Sequence, residues 1–277
     1  MEAVPGTGPF RPQSSGGQTL VLGWTWAALL VAATLAWVLT VGQSWRMGVE
    51  LGTMGLALPV FLVMWVPMMA AMMFPALAPV VILWGRSINR VETGTRRVVR
   101  QGSFVVGYIV VWTVYGLVAF GLLLGAERLV GQSPGAARWI GAGAYLAAGL
   151  YQLTPLKRVC LRHCRSPLGQ FLRFGSLRGP GVDFRVGLLH GGYCVGCCWA
   201  LMLILVGVGV MNLVAMVALT VLIFLEKVWR HGNALAWAAS AVFVVLAILA
   251  LFHPGLIPGL IPGLSARVPA ADMTPAM

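Results

Sequence analysis

Long apolar runs separated by short basic segments set the pattern of this chain. From Leu20 to Phe252, stretches of membrane-spanning length recur, and each suits an α-helix crossing a hydrocarbon layer about 30 Å thick. Seven such helices are predicted, at 20–41, 57–84, 104–124, 138–155, 186–207, 210–226 and 233–252. The break between the fifth and sixth rests on "VGVGVMN", whose glycines and Asn212 suit a tight turn. The expected fold is all-α, a polytopic membrane protein built as a bundle of about seven transmembrane helices.

Around this domain, 20–252, the pattern places two unlike ends. Residues 1–19, which open on "MEAVPGTGPFRPQSSGG", are expected to be a disordered cytoplasmic amino terminus. Residues 253–277 form a Pro/Gly-rich tail with the repeat "PGLIPGLIPGL". The first apolar run is expected to stay as a span, because nothing after it reads as a signal-peptide cleavage site.

Composition and charge narrow the class. The chain is 59% hydrophobic and only 9% charged, against about 25% charged residues in a soluble domain. A net charge of +12 would suggest nucleic acid in a soluble protein. Here fifteen of the nineteen Lys and Arg residues fall on one side of the predicted spans, leaving Arg46, Arg128, Arg138 and Arg267 opposite. A topology signal accounts for that bias, so nucleic acid is not an expected partner and the lipid bilayer is. The amino terminus and both long basic loops are expected inside, and the carboxyl terminus outside.

All five cysteines lie in "CLRHC" (160–164) and "YCVGCCWALM" (193–202), at the cytoplasmic end of the fourth and fifth spans. That side is reducing, so structural disulfides are not expected. At about 100° per residue, Cys194, Cys197 and Cys198 share one third of a helix surface, with His190 and Met202 extending the stripe. Cys160, His163 and Cys164 share a face if their segment is helical. A face of thiols, imidazole and thioether is the ligand set of a soft metal. Packing alone and a reactive thiol pair are the competing readings. Gly187 with Gly191, and Gly192 with Gly196, would let a neighbouring backbone come close.

The second span adds "MWVPMMAAMMFP", 64–75. Met64, Met68 and Met72 step along one line, with Met69 and Met73 beside it. The plainer reading is flexible filler around the kinks that Pro67 and Pro75 impose. Depth argues for more. Met73 and Cys197 each lie twelve residues in from the basic ends at Gly85 and Arg185, or about 18 Å. Spans two and five are therefore expected to pack together, Met72 or Met73 facing Cys197 or Cys198. Thioether and thiolate together favour Cu(I), although another soft metal would fit. Neither span contains Asp or Glu, so the hard oxygen ligands are missing.

"MWVPMMAAMMFP", "YQLTPLKRVCLRHCRSPL" and "GGYCVGCCWALM…GVMNLVAM…EK" together resemble a bacterial family of predicted metal-binding integral membrane proteins, over roughly 60–230. The resemblance implies an inner-membrane protein and a metal site drawn from Met64, Met68, Met72, Met73, Cys160, Cys164, Cys194, Cys197, Cys198 and Met202. It also places Glu226 and Lys227 at the close of the sixth span. The leading expectation is a Cu(I) transporter or a protein handing copper over at the cytoplasmic side, with a copper chaperone or membrane partner to exchange with. The alternatives are a thiol-based oxidoreductase using Cys194 and Cys197, or a structural membrane subunit without metal. No GxxxxGK[ST] or Ser-His-Asp set appears. Glu127, Glu226 and Lys227 are read as anchors at the membrane interface.

Overall fold

The computed structural model describes residues 15–47, 53, 55–89, 94–166, 169, 174, 177 and 179–260. Among the described residues all regular structure is helical. The helices are α1 Ser15–Met47, α2 Leu58–Asn89, α3 Gly94–Gln132, α4 Ala136–Gln152, α5 Pro155–Arg165, α6 Val182–Val208, α7 Leu213–Val228 and α8 Gly232–Phe252. Two 3-10 turns come after α8, at Pro254–Leu256 and Pro258–Leu260. Each of the seven predicted segments falls on a helix, and α5 is an addition within a segment read as loop. Residues 1–14 and 261–277, most of the two expected termini, lie outside the described residues.

Five helices, α1, α2, α3, α6 and α8, are long and apolar enough to cross a membrane. The other two predicted spans are shorter. α4 has 17 residues and α7 has 16, rises of only about 26 and 24 Å.

Local chemistry explains the short ends. α4 stops at Leu153 because Thr154 caps a new helix, its hydroxyl accepting the Lys157 N–H at 3.2 Å, with Pro155 in the first turn. The turn predicted from "VGVGVMN" forms at Gly209, whose φ of 101° suits glycine. Asn212 then caps α7 by accepting the Ala215 N–H at 3.1 Å.

α3 and α6 make the closest crossing. A methyl group added at Gly107 would collide with the Phe184 carbonyl, and one at Gly187 with the Phe104 carbonyl. At Gly191 it would meet Val111 Cβ at 3.0 Å. The glycine spacing on α6 therefore serves α3. α2 lies along α1, α3 and α7, whereas α6 lies along α3, α4 and α5 and also touches α7. α2 and α6 share α3 and α7 as neighbours, and they meet directly where Trp84 of α2 bonds Asp183 of α6.

α2 keeps Pro67, Pro75 and Pro79 inside one continuous helix. Each proline removes an intrahelical donor, and close packing offsets that loss, with Met64, Met68, Met72 and Ala71 around them buried. At its carboxyl end Trp84 Nε1 donates to Asp183 at 2.9 Å, and Arg100 Nε donates to the same carboxylate at 2.8 Å. This one acidic side chain ties α2, α3 and α6 together. Beyond α8, Ile257 and Leu260 are fully buried, Ile257 against Gly141, and Tyr145 donates to the Leu256 carbonyl at 3.0 Å.

The crossing yields a stability prediction. Gly187→Ala should destabilise the purified protein by about 1–3 kcal/mol, because backbone cannot move aside as a side chain can. Gly192→Ala, with nothing within 4 Å of its added methyl, should stay within about 1 kcal/mol of the parent. Thermal unfolding in detergent compares the two, and equal losses would refute the close crossing.

Candidate metal centre

Cys194, Cys197 and Cys198 project from one face of α6, as residues i, i+3 and i+4 must. Each is at most 2% exposed. Their sulfurs lie within 4.8 Å of one another. A three-coordinate ion with bonds of about 2.3 Å, the zinc–thiolate length, holds its sulfurs about 4.0 Å apart. Small side-chain rotations would therefore close the set around an ion. Cys197 and Cys198 donate to the Cys194 carbonyl at 3.1 and 2.9 Å, bonds that such rotations would release.

α5 contributes a fourth thiol. Cys164 Sγ lies 3.9 Å from Cys197 Sγ. Hydrogen bonds to the Cys194 and Cys197 sulfurs, followed by burial, hold its thiol well above the usual cysteine range. Cys160, one turn earlier, lies over Gly196, where an added methyl would come 2.8 Å from its sulfur. Burial raises the Cys160 thiol too, with Cys197 adding to the effect. α5 is helical as the shared face required, yet His163 turns away to stack on Tyr193, ring centroids 4.3 Å apart and planes within 2°.

Cys194 has the strongest polar surroundings. The Tyr108 hydroxyl lies 3.1 Å from its sulfur, and Lys227 Nζ donates to it at 3.1 Å. An ammonium has donors only, so it favours the anionic form of the sulfur it touches. Next along α7, Glu226 accepts from Lys157 Nζ and Gln152 Nε2, both at 2.7 Å. The Lys157 and Glu226 side chains are 1% and 2% exposed.

These positions correct the reading of Glu226 and Lys227 as interface anchors. Both are buried inside the bundle. The reason lies in where α4 and α7 end. Tyr151, next to last in α4, donates to the Gly196 carbonyl, and Lys227 is next to last in α7. The short helices stop level with the thiols, and their polar ends turn inward. Glu127 is engaged too, accepting the backbone N–H and hydroxyl of Thr53 ahead of α2.

The other expected ligands are buried in the same interior. His190 stacks on Tyr108, with centroids 5.8 Å apart, and so backs the residue that touches Cys194. Met64, Met68, Met69, Met72, Met73 and Met202 are all at most 4% exposed. They share one continuous core with the five cysteines. Three bonds set their level. Trp84 is tied to Asp183, Trp65 Nε1 donates to the Trp112 carbonyl at 3.0 Å, and Tyr115 donates to the Trp199 carbonyl at 2.8 Å. The methionines from Met68 to Met73 thus lie between anchors matched to 183 and 199 on α6, the stretch that carries the cysteines.

Tyr108, Gln152 and Lys157 were not foreseen as part of the site. Lys227 carried a signal, since a charge within an apolar segment is costly and marks function by default. Tyr108 carried none, because only the α3–α6 crossing sets its partner.

An all-helical bundle with a buried thiol cluster able to hold a metal ion defines the class. Residues 62–250 match the family model for the PpoB2 copper chaperones, and the chain belongs to that family. The match spans α2 to α8 and includes every cysteine and methionine named above. No curated protein and no solved structure matches the chain.

The α5–α6 contact can be checked chemically. In a variant keeping only Cys164 and Cys197, mild oxidation should join them, since a disulfide needs the sulfurs to close from 3.9 Å to about 2.05 Å. Peptide mass mapping reads the cross-link. Its absence, with Cys160 and Cys197 joined instead in the matching variant, would mean that α5 sits in another register.

Proposed function

We propose that this chain is a membrane-embedded Cu(I) carrier that collects the ion on buried thiolates for handover on the cytoplasmic side. One observation carries the reading, the three buried thiols of α6 with Cys164 beside them. Membership of a copper chaperone family supports it. The ion would be held by Cys194, Cys197 and Cys198, with Cys164 and Cys160 on α5 as the route toward solvent. The methionines of α2 and Met202 serve as weaker thioether ligands on the opposite approach. A thioether binds Cu(I) loosely and a thiolate binds it firmly, so the ion moves down a gradient of affinity by ligand exchange. No oxidation state changes in that transfer.

Thiolates alone would also suit zinc, so the preference for Cu(I) rests on the thioethers that share the core with the thiols and on the family. The exposed apolar side chains around α1, α3 and α8, such as Leu35, Val114 and Val245, suit a lipid setting. The basic loops favour an orientation with the amino terminus and α5 on the cytoplasmic side of a bacterial inner membrane.

Elemental analysis after loading under reducing conditions tests the reading. The parent should retain about one Cu(I) per chain, and Cys197→Ser with Cys198→Ser should lose tight binding, since serine offers no thiolate. A triple Met68→Leu, Met72→Leu, Met73→Leu variant keeps volume and hydrophobicity, a change costing under about 1.5 kcal/mol. It should fold and bind, but load copper more slowly in cells. A triple variant that loads like the parent would return the methionines to packing.

Orientation has its own test. Arg162 is exposed on α5, so Arg162→Cys should react with an impermeant thiol reagent in inverted vesicles and not in intact cells. Labelling from outside would reverse the direction of handover.

A further inference from the structure

Lys227 is a buried lysine whose charge is committed to the thiols. Its Nζ lies 3.1 Å from Cys194 Sγ, and the carboxylates that could neutralise it are engaged elsewhere. Glu226 is bound by Lys157 and Gln152, Asp183 by Arg100 and Trp84, and Glu127 by Thr53. The Lys157–Glu226 pair balances itself. Among the described residues, the ammonium of Lys227 therefore remains as the fixed positive charge acting on the cysteine cluster.

We infer that Lys227 sets the charge selectivity of the metal site, favouring a monovalent thiophilic ion over a divalent one. This rests on the reading of Cys194, Cys197 and Cys198 as the ligands. An ion bonded to Cys194 at about 2.3 Å lies no more than about 5.4 Å from Nζ, given the 3.1 Å contact. At that range a buried ammonium repels a bound ion in proportion to its charge. Zn(II) or Cd(II) feels twice the repulsion that Cu(I) or Ag(I) does. The same ammonium stabilises the thiolates, but that benefit is common to every metal that binds them and cancels in the comparison. Softness alone ranks the metals by ligand type. Lys227 adds discrimination by charge, which sulfur ligands by themselves do not supply.

The geometry around Lys227 suits this role. The residue is 8% exposed, so water does little to screen it. Its position next to last in α7, one residue beyond the self-balanced Glu226, holds the charge at the edge of the thiol face rather than within it. Lysine reaches the sulfur as a compact point charge and cannot itself ligate a metal while protonated.

The experiment compares full-length parent, Lys227→Leu and Lys227→Arg, purified in detergent under reducing conditions. Cu(I) affinity is read by competition with a chromophoric Cu(I) chelator, and Cd(II) affinity by competition together with thiolate-to-metal absorbance. In Lys227→Leu the Cu(I)-over-Cd(II) preference should fall by about tenfold or more, and in Lys227→Arg it should stay within about threefold of the parent. Lys227→Gln serves as a second neutral variant should the leucine form not fold. An unchanged ratio in a folded neutral variant, with both affinities lowered together, would overturn the inference while leaving the copper site in place. A parent that binds no Cu(I) would remove the proposed function and the inference with it.

Discussion

With no side chain at Gly107, Gly187 or Gly191, the backbones of α3 and α6 come into contact, and the thiol site is organised around that contact. The crossing brings Tyr108 onto Cys194 and His190 against Tyr108. It fills the groove of α6 on one side, so α4, α5 and α7 take the other. Because small residues replace large ones at the contact, packing and backbone approach supply the attraction that apolar side chains would supply in water. The thiols face inward as a consequence of which side of α6 the glycines occupy.

A second constraint is electrostatic. Four polar side chains, those of Gln152, Lys157, Glu226 and Lys227, are buried beside the sulfurs. Charges withdrawn from water cost several kcal/mol each unless they are paired. Lys157 and Glu226 pair at 2.7 Å, and Lys227 finds the sulfur of Cys194. A thiolate there would balance the ammonium, so in the proposed carrier burying Lys227 and readying Cys194 for a metal go together. The short helices α4 and α7 make this possible, since their ends deliver polar groups to a level that longer helices would have lined with apolar side chains.

The same layer accounts for the two kinds of sulfur. Thioethers on α2 sit between anchors that correspond to the cysteine-bearing stretch of α6. Both kinds of sulfur belong to one buried core. In the proposed carrier that is useful, because exchange between weak and strong ligands needs both within one interior. α5 completes the path by adding Cys164 on the far side of Cys197.

Much of this was legible in the order of residues alone. The apolar runs foretold an all-helical chain with long apolar helices, "VGVGVMN" foretold the turn at Gly209 to Asn212, and the spacing of Cys194, Cys197 and Cys198 foretold their common face. Each of these depends on neighbours within a turn or two along the chain, where helical periodicity and capping act. Their partners were not legible in the same way. Depth counted along α2 and α6 put them at one level, but nothing in the order of residues said that α3 fills the glycine groove of α6. Glu226 and Lys227 looked like surface anchors because they close an apolar segment. Only the tertiary structure shows α7 ending level with the thiols, so that Lys227 meets Cys194 and Glu226 meets Lys157. A sequence states which side chains share a helix face, whereas the facing residue, 33 to 86 positions away for Cys194, is chosen by how whole helices pack.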